Sequence, residues 1–311
     1  LMLGENLSEI WSVSIGKGDS RKKRLVTDPV FFENKIFTLD ANSIASAFDA
    51  NGKLLWKKDL TPPGEKRGEI FGGGLTLGQD QLFVTLSYGF VLSLDPRTGD
   101  KKWSQRLSGA GNTVPVFDDG LVYLVSGDSK AWAISANNGR IKWKIDAIGN
   151  DTNLISNNAP ATSKKYAVFG FGNGEIYTTF KKGGYVLWSS SLSGRNDGRV
   201  ISAIDDIVAS PVIVGRNVFV ADGSGKVVSI KVESGKRNWT APFGSSGNLW
   251  VAGKSLFFIS NTNHLVRLKI KTGDAVWMTE LPYFSKKRFG GSKKIIRHYG
   301  PIIAGNQIVL A

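Results

Sequence analysis

The residues of this 311-residue chain that could do chemistry are few and scattered. It contains no cysteine and two histidines, His264 and His298. Without a thiol there is no thiolate nucleophile, no disulfide framework and no Cys-ligated zinc or iron–sulfur centre. The histidines cannot sustain a metal site alone: His264 sits in a hairpin before Leu265-Val-Arg-Leu, His298 is expected to open the final strand, and both are expected to be packed or solvated. The carboxylates in Phe117-Asp-Asp-Gly120, and the Gly223-Ser-Gly225 turn, read as hairpins and lack the alternating oxygen ligands of a calcium loop. Trp132, in Lys130-Ala-Trp-Ala, could stack on a flat cofactor, but its setting predicts a filler of the core. No segment has helical periodicity, so a phosphate loop leading into a helix is excluded too. Catalysis finds no anchor, and no cofactor or metal is expected.

Charge is the second chemical feature. Lys and Arg total 40 against 26 Asp and Glu, a formal charge of +14. Ten of these cations fall in two runs: Arg21, Lys22, Lys23 and Arg24, and then Lys286, Lys287, Arg288, Lys293, Lys294 and Arg297, with no acid between them. Clusters of this kind are either solvated loops or candidate contacts for anionic headgroups, lipopolysaccharide or nucleic acid. Nucleic acid ranks last, because Tyr283, Phe284 and Phe289 flank or enter the second run without alternating with its cations as stacking platforms.

A repeat supplies the elements that must position these residues. The phrase apolar-x-apolar, turn residues, Gly, three residues, Trp occurs six times, at Gly52/Trp56, Gly99/Trp103, Gly139/Trp143, Gly184/Trp188, Gly235/Trp239 and Gly273/Trp277. Trp11 is a seventh copy without its glycine, and successive tryptophans lie 45, 47, 40, 45, 51 and 38 residues apart. That spacing suits four short strands and their turns. Pro29, Pro115, Pro160 and Pro211 lie 27 or 28 residues before a repeat tryptophan, where a strand can start without a donor N–H. Strands without helices at this period predict an all-β fold, a β-propeller of four-stranded antiparallel blades over residues 1–311 as a single domain. The glycine is expected in the hairpin between the third and fourth strands, in left-handed backbone, and the tryptophan in the outer strand, wedged between blades.

Trp11 precedes any complete repeat, so the N-terminal strand is expected to close the ring as the outer strand of the last blade. Pro301-Ile-Ile-Ala-Gly-Asn-Gln-Ile-Val-Leu-Ala311 matches the opening hairpin of a further blade whose tryptophan falls outside the chain, the expectation being a truncated last blade. No apolar run approaches the roughly 20 residues of a membrane helix. The start, Leu1-Met-Leu-Gly-Glu-Asn, lacks the pattern of a signal peptide, as expected of a processed, soluble chain.

The repeat resembles the tryptophan-containing propeller repeats of quinoprotein dehydrogenases and, more closely, those of the BamB-like outer-membrane assembly lipoproteins. The resemblance covers nearly the whole chain, including Glu9-Ile-Trp11-Ser-Val and Asp206-Ile-Val-Ala-Ser-Pro211. It implies eight blades, a non-catalytic scaffold monomer on the periplasmic face of the outer membrane, an upstream lipid anchor, and binding to the POTRA domains of BamA. Nascent outer-membrane proteins are implied as secondary guests. The family's gripping face lies on two inserts, here residues 144–158 and 193–210. Carried over residue by residue, one family leucine falls on Leu154 and one aspartate on Asp206, with Asp205 beside it. The family's arginine falls on Ile155, its other leucine on Thr152 and its second aspartate on Val208, so these do not match. The alternatives are a quinone-dependent dehydrogenase, whose relatives stack an adjacent cysteine pair on the cofactor, and a propeller binding anionic lipid or polysaccharide through its basic loops.

Overall fold

The computed structural model describes residues 9–18, 27–69, 72–147, 158–192, 209–223, 225–245, 247–284, 296, 298–305 and 307–310. These residues contain strands and turns and no helix. The first sheet runs β1 (Val30–Phe32), β2 (Lys35–Leu39), β3 (Ile44–Asp49), β4 (Leu54–Asp59), paired in chain order. The second is β5 (Gly73–Gly78), β6 (Gln81–Leu86), β7 (Phe90–Leu94), β8 (Lys101–Arg106), and the third β9 (Val116–Asp118), β10 (Leu121–Ser126), β11 (Lys130–Ser135), β12 (Ile141–Asp146). The fourth comprises β13 (Ala161–Thr162), β14 (Tyr166–Gly170), β15 (Glu175–Phe180) and β16 (Val186–Ser191). The fifth is β17 (Val212–Val214), β18 (Asn217–Ala221), β19 (Val227–Lys231), β20 (Arg237–Ala241), and the sixth β21 (Trp250–Ala252), β22 (Ser255–Ile259), β23 (His264–Lys269), β24 (Ala275–Glu280). A hairpin of β25 (Ile302–Ala304) and β26 (Gln307–Val309) follows. Pro29, Pro115, Pro160, Pro211 and Pro301 each stand immediately before a first strand, as a residue without an N–H should.

By its internal contacts the chain divides into two compact units, Leu1–Phe171 with Thr179–Tyr185, and Gly172–Thr178 with Val186–Ala311. Within the first, one core joins Phe37, Leu39 and Trp56 to Leu75, Leu82 and Leu94, and another joins Phe83 and Val91 to Leu124, Trp132 and Ile134. Within the second, Phe219, Val227 and Ala241 pack on Leu256, Phe258 and Leu268. Each core lies between consecutive sheets, so the middle strands are covered on both faces: every residue of β6 is buried. The fourth strands are covered on one face and alternate, as in β8, where Trp103 is half-buried between exposed lysine and serine.

Each of the six repeat glycines meets a tryptophan of the adjoining repeat: Trp11, Trp56, Trp103, Trp143, Trp188 or Trp239. The indole N–H of Trp56 donates to Pro96 O at 3.0 Å, that of Trp103 to Ala136 O at 2.8 Å, and that of Trp143 to Lys181 O at 2.9 Å. Trp188 reaches Val232 O at 2.7 Å and Trp239 reaches Ile270 O at 3.0 Å, while Trp11, whose segment 9–18 forms no strand and so departs from the expected closing strand, reaches Ala50 O at 2.8 Å. Each acceptor lies in the hairpin carrying the next repeat glycine. The glycines take φ between 68° and 80°, as predicted, and they have a second reason to lack a side chain. A methyl group on Gly139 would lie 2.6 Å from the Trp103 ring, and one on Gly273 2.6 Å from that of Trp239. Backbone freedom and close approach thus act on the same atom.

A third repeated position is an aromatic residue on the second strand. Phe37 pairs with Ala47 and Ala47 with Trp56, and the same ladder reads Phe83–Ser93–Trp103, Tyr123–Ala133–Trp143 and Phe219–Ser229–Trp239. The small middle residue lets the flanking rings meet across it, with centroids 6.1 Å apart for Phe37 and Trp56 and 5.9 Å for the other three pairs. In the sixth sheet Arg267 takes the middle place, lies 5.8 Å over the Phe257 ring, and is held by Ser255. The register shifts just after this middle residue in five sheets, inserting one extra residue before each tryptophan of β4, β8, β12, β20 and β24.

Three substitutions test this packing. Gly139→Ala should destabilise by about 2–4 kcal/mol in denaturant titration, because left-handed strain adds to overpacking against Trp103. Gly120→Ala has φ of 74° but nothing within 4 Å of its new methyl, and should cost only about 1–2 kcal/mol. The Tyr123 hydroxyl is buried without a hydrogen-bond partner among the described residues, and burial, with Asp118 and Asp119 nearby, pushes its ionisation up. Tyr123→Phe should therefore leave stability unchanged or raise it by about 1 kcal/mol.

Candidate functional site: the stems of two inserts

The two inserts lie on either side of the fourth sheet in the chain, the first before β13 and the second after β16. Their described residues are stems, and these are fixed. The Ala147 N–H donates to Ser129 O at 2.9 Å, where the first insert departs, and at its return Asn158 and Pro160 are buried. Leu192, at the departure of the second, is 2% exposed, and its N–H reaches Gly174 O at 3.0 Å. Lys226 Nζ also donates to Leu192 O, at 3.2 Å. Ala209, where that insert ends, is fully buried in the core of Phe219 and Leu249.

Charge organises the first stem. Asp128, in the hairpin between β10 and β11, accepts from Ser108 Oγ at 2.5 Å, from Ser126 Oγ, and from Lys130 Nζ at 2.5 Å. Partial burial opposes its charge, but these three donors outweigh it and hold the carboxyl below the usual range. Lys130 is raised in turn, first by its hydrogen bond to Asp128 and then by charge, with Asp146 at 3.7 Å contributing. Ser126 also accepts from the Trp132 indole N–H at 2.8 Å. The resulting chain Trp132–Ser126–Asp128–Lys130–Asp146 fixes the end of β12 from which the insert leaves. In the second stem, Asp222 is fully buried and its Oδ1 accepts from the N–H groups of Gly225 and Lys226 at 2.9 and 2.7 Å. It is a turn-capping carboxylate.

Trp132 is 3% exposed among Phe83, Leu107 and Ile134, with Lys144 5.7 Å over its ring, so it offers no face for a quinone. Asp118 and Asp119 belong to the hairpin between β9 and β10, as predicted, with Asp119 at φ 51°. His264 stands at the start of β23 with Nδ1 2.7 Å from Thr262 O. His298 departs from its prediction: it opens no strand but stands before Pro301 with Nε2 2.9 Å from Pro282 O, since the proline and not the histidine sets where β25 starts. Among the described residues, no group of three or more His, Asp or Glu side chains is close enough to hold a metal ion. Leu154, Asp205 and Asp206, and all ten clustered cations from Arg21 to Arg24 and from Lys286 to Arg297, lie outside the described residues.

Residues 40–279 match the family of the outer membrane protein assembly factor BamB. This chain belongs to the BamB family. The BamB of Yersinia pestis is 23% identical over 275 residues, which is 87% of this chain and 70% of that protein, and the BamB of Salmonella typhimurium 24% over 275 residues, 86% and 69%. The crystal structure of BamB from Moraxella catarrhalis superposes with a TM-score of 0.75 at 16% identity, covering 91% of this chain and 81% of that one. The fold is thereby that of the BamB β-propeller. A computationally designed protein, Ika8, also superposes, with a TM-score of 0.63 at 15% identity over 88% of this chain and 80% of its own. The stacked sheets therefore identify the fold, while the BamB assignment rests on the sequence match.

The first stem makes a pH prediction. A carboxyl held below its ordinary value of 3.8 adds stability that is fully present above that value and is lost as pH falls through the folded one. The difference in melting temperature between the parent chain and Asp128→Asn should be constant from about pH 5 to 7 and shrink below about pH 4. Differential scanning calorimetry against pH measures it.

Proposed function

We propose that this chain is a non-catalytic scaffold of outer-membrane protein assembly, binding the POTRA domains of a BamA partner through residues 144–158 and 193–210 and so assisting insertion of barrel proteins. Membership of the BamB family carries the reading. The rigid stems support it: an insert held at both ends presents its tip with less ordering entropy to lose on binding. Leu154 is proposed as the apolar anchor, and Asp206, with Asp205, as the charge that sets register on a basic surface. The site of action is the periplasmic face of the outer membrane, reached through a lipid anchor on a segment preceding Leu1. Nascent barrel strands are secondary guests, adding to an open sheet edge.

A second reading concerns the basic run 286–297. The residues at its two ends expose apolar rings, Tyr283 at 46% and Tyr299 at 57%, and the Ile296 N–H reaches back to Tyr283 O at 3.0 Å. Cations carried on an aromatic stem suit an anionic polymer or headgroup layer, and the cations of residues 21–24 are assigned the same kind of contact.

The primary reading is tested by calorimetric titration with the POTRA segment of the cognate BamA. The parent chain should bind in the micromolar range or tighter, and Asp206→Arg should weaken binding at least about tenfold, which is roughly 1.4 kcal/mol. Equal binding by the two would remove the second insert from the contact, and no binding by the folded parent would overturn the reading.

A further inference from the structure

Two neighbouring turns of the fourth sheet, Ser163–Lys165 between β13 and β14 and Lys181–Gly184 between β15 and β16, carry a group of side chains that the scaffold reading does not use. The Lys181 N–H bonds Lys165 O at 2.9 Å, so the turns sit side by side. They lie at the opposite end of β13 from the first insert. Tyr166 and Phe180 pack with ring centroids 5.5 Å apart, and Phe180 is 41% and Tyr185 76% exposed. Tyr185 is not a loose side chain: its ring lies over Gly183, where a methyl group would come within 2.6 Å, and its carbonyl accepts the Phe180 N–H at 3.0 Å.

Lys164, Lys165 and Lys182 are exposed around these rings and form no ion pair among the described residues. Lys181 differs: it is buried, and its Nζ meets Asp118 Oδ2 at 2.6 Å. That pair, with the Trp143 indole on Lys181 O and the ring of Trp143 against Gly184, fixes the turns from beneath. Between residues 161 and 185 the one acid is Glu175, at the far end of β15 from these turns, and the neighbouring β9–β10 hairpin adds the exposed Asp119.

We propose that these turns dock on an anionic phospholipid surface. Aromatic rings with one apolar face and a polar edge settle at the headgroup level, and lysines beside them gain from the negative surface potential. The form of the site favours lipid over an acidic peptide. The rings and charges stand on two turns and not in a groove, and all three free cations are lysines, point charges without the planar fork by which arginine recognises a carboxylate. The inference does not depend on BamA binding.

The absence of cysteine makes the test direct, since Tyr185→Cys gives the full chain a unique site for an environment-sensitive NBD label. The label should brighten and shift to the blue with vesicles of phosphatidylglycerol in phosphatidylcholine, and not with phosphatidylcholine alone. At about fivefold per lysine, Lys164→Gln, Lys165→Gln and Lys182→Gln together should weaken sedimentation with the same vesicles about 100-fold, with an unchanged melting temperature. A silent label on a chain that still sediments would place the contact on the other basic segments and overturn the proposal. Parental sedimentation by the triple variant would do the same. An equal label response to polyglutamate without lipid would assign the turns to an acidic protein.

Discussion

The structure depends on one contact made repeatedly: an indole from the fourth strand of one repeat laid against a glycine in the next repeat's last hairpin, with its N–H on a carbonyl of that hairpin. A four-stranded sheet cannot bury its middle strands alone, and the wholly buried β6 shows how completely the neighbours do so. Apolar packing supplies most of the free energy but is non-directional. The indole hydrogen bond adds only about 1 kcal/mol, yet it specifies which carbonyl the ring meets, and the missing Cβ sets how closely the hairpin approaches. Together they fix the spacing from one sheet to the next, and hence where every stem emerges.

The second-strand aromatic and the bulge complete the device. The small residue between the two rings, Ala47, Ser93, Ala133 or Ser229, keeps the tryptophan in contact with its own sheet, while the extra residue before it re-aims the strand. Arg267 shows that the middle position tolerates a long side chain when its stem can lie across the aromatic ring and its head finds an acceptor. The first-strand prolines act differently, ending one connection and opening the next strand without asking the ladder for a donor.

Much of this was legible in the residues. The Gly–Trp offset of four and the prolines disclosed the sheets, their order and the positive φ of the glycines, because these are local constraints with few solutions. The aromatic partner is less legible, although an aromatic residue stands 19 or 20 positions before Trp56, Trp103, Trp143, Trp239 and Trp277. It was hidden because Phe and Tyr are common in any buried strand, and only cross-strand register shows which ring meets which. The second role of the glycines was also invisible, since it depends on a ring in another repeat. The Asp128 relay joins residues on three strands and the turn between the first two, with no sequence motif to announce it. The start of β25 is not legible at His298, since strand periodicity alone does not say where a strand starts when a proline follows three residues later.

A scaffold of this kind separates stability from recognition. The docking contacts lie within and between sheets, whereas the inserts leave from stems closed by Ala147, Asn158, Leu192 and Ala209, so an insert can change in length or composition at a loop-closure cost that grows only as the logarithm of its length. That freedom bears on the proposed partner face. By the resemblance, Ile155 and Val208 fall where BamB-like lipoproteins carry an arginine and an aspartate, and Thr152 where they carry a leucine, so the proposed contact would lack one charge of each sign while keeping Leu154 and Asp206. Net charge at the face is conserved by that exchange, but the charge pairs that fix register are fewer. Recognition through the proposed face would then lean less on charge and be less sensitive to salt than through a face that retained both charges. On this proposal specificity resides in the inserts, while the indole and glycine contacts set where their stems stand.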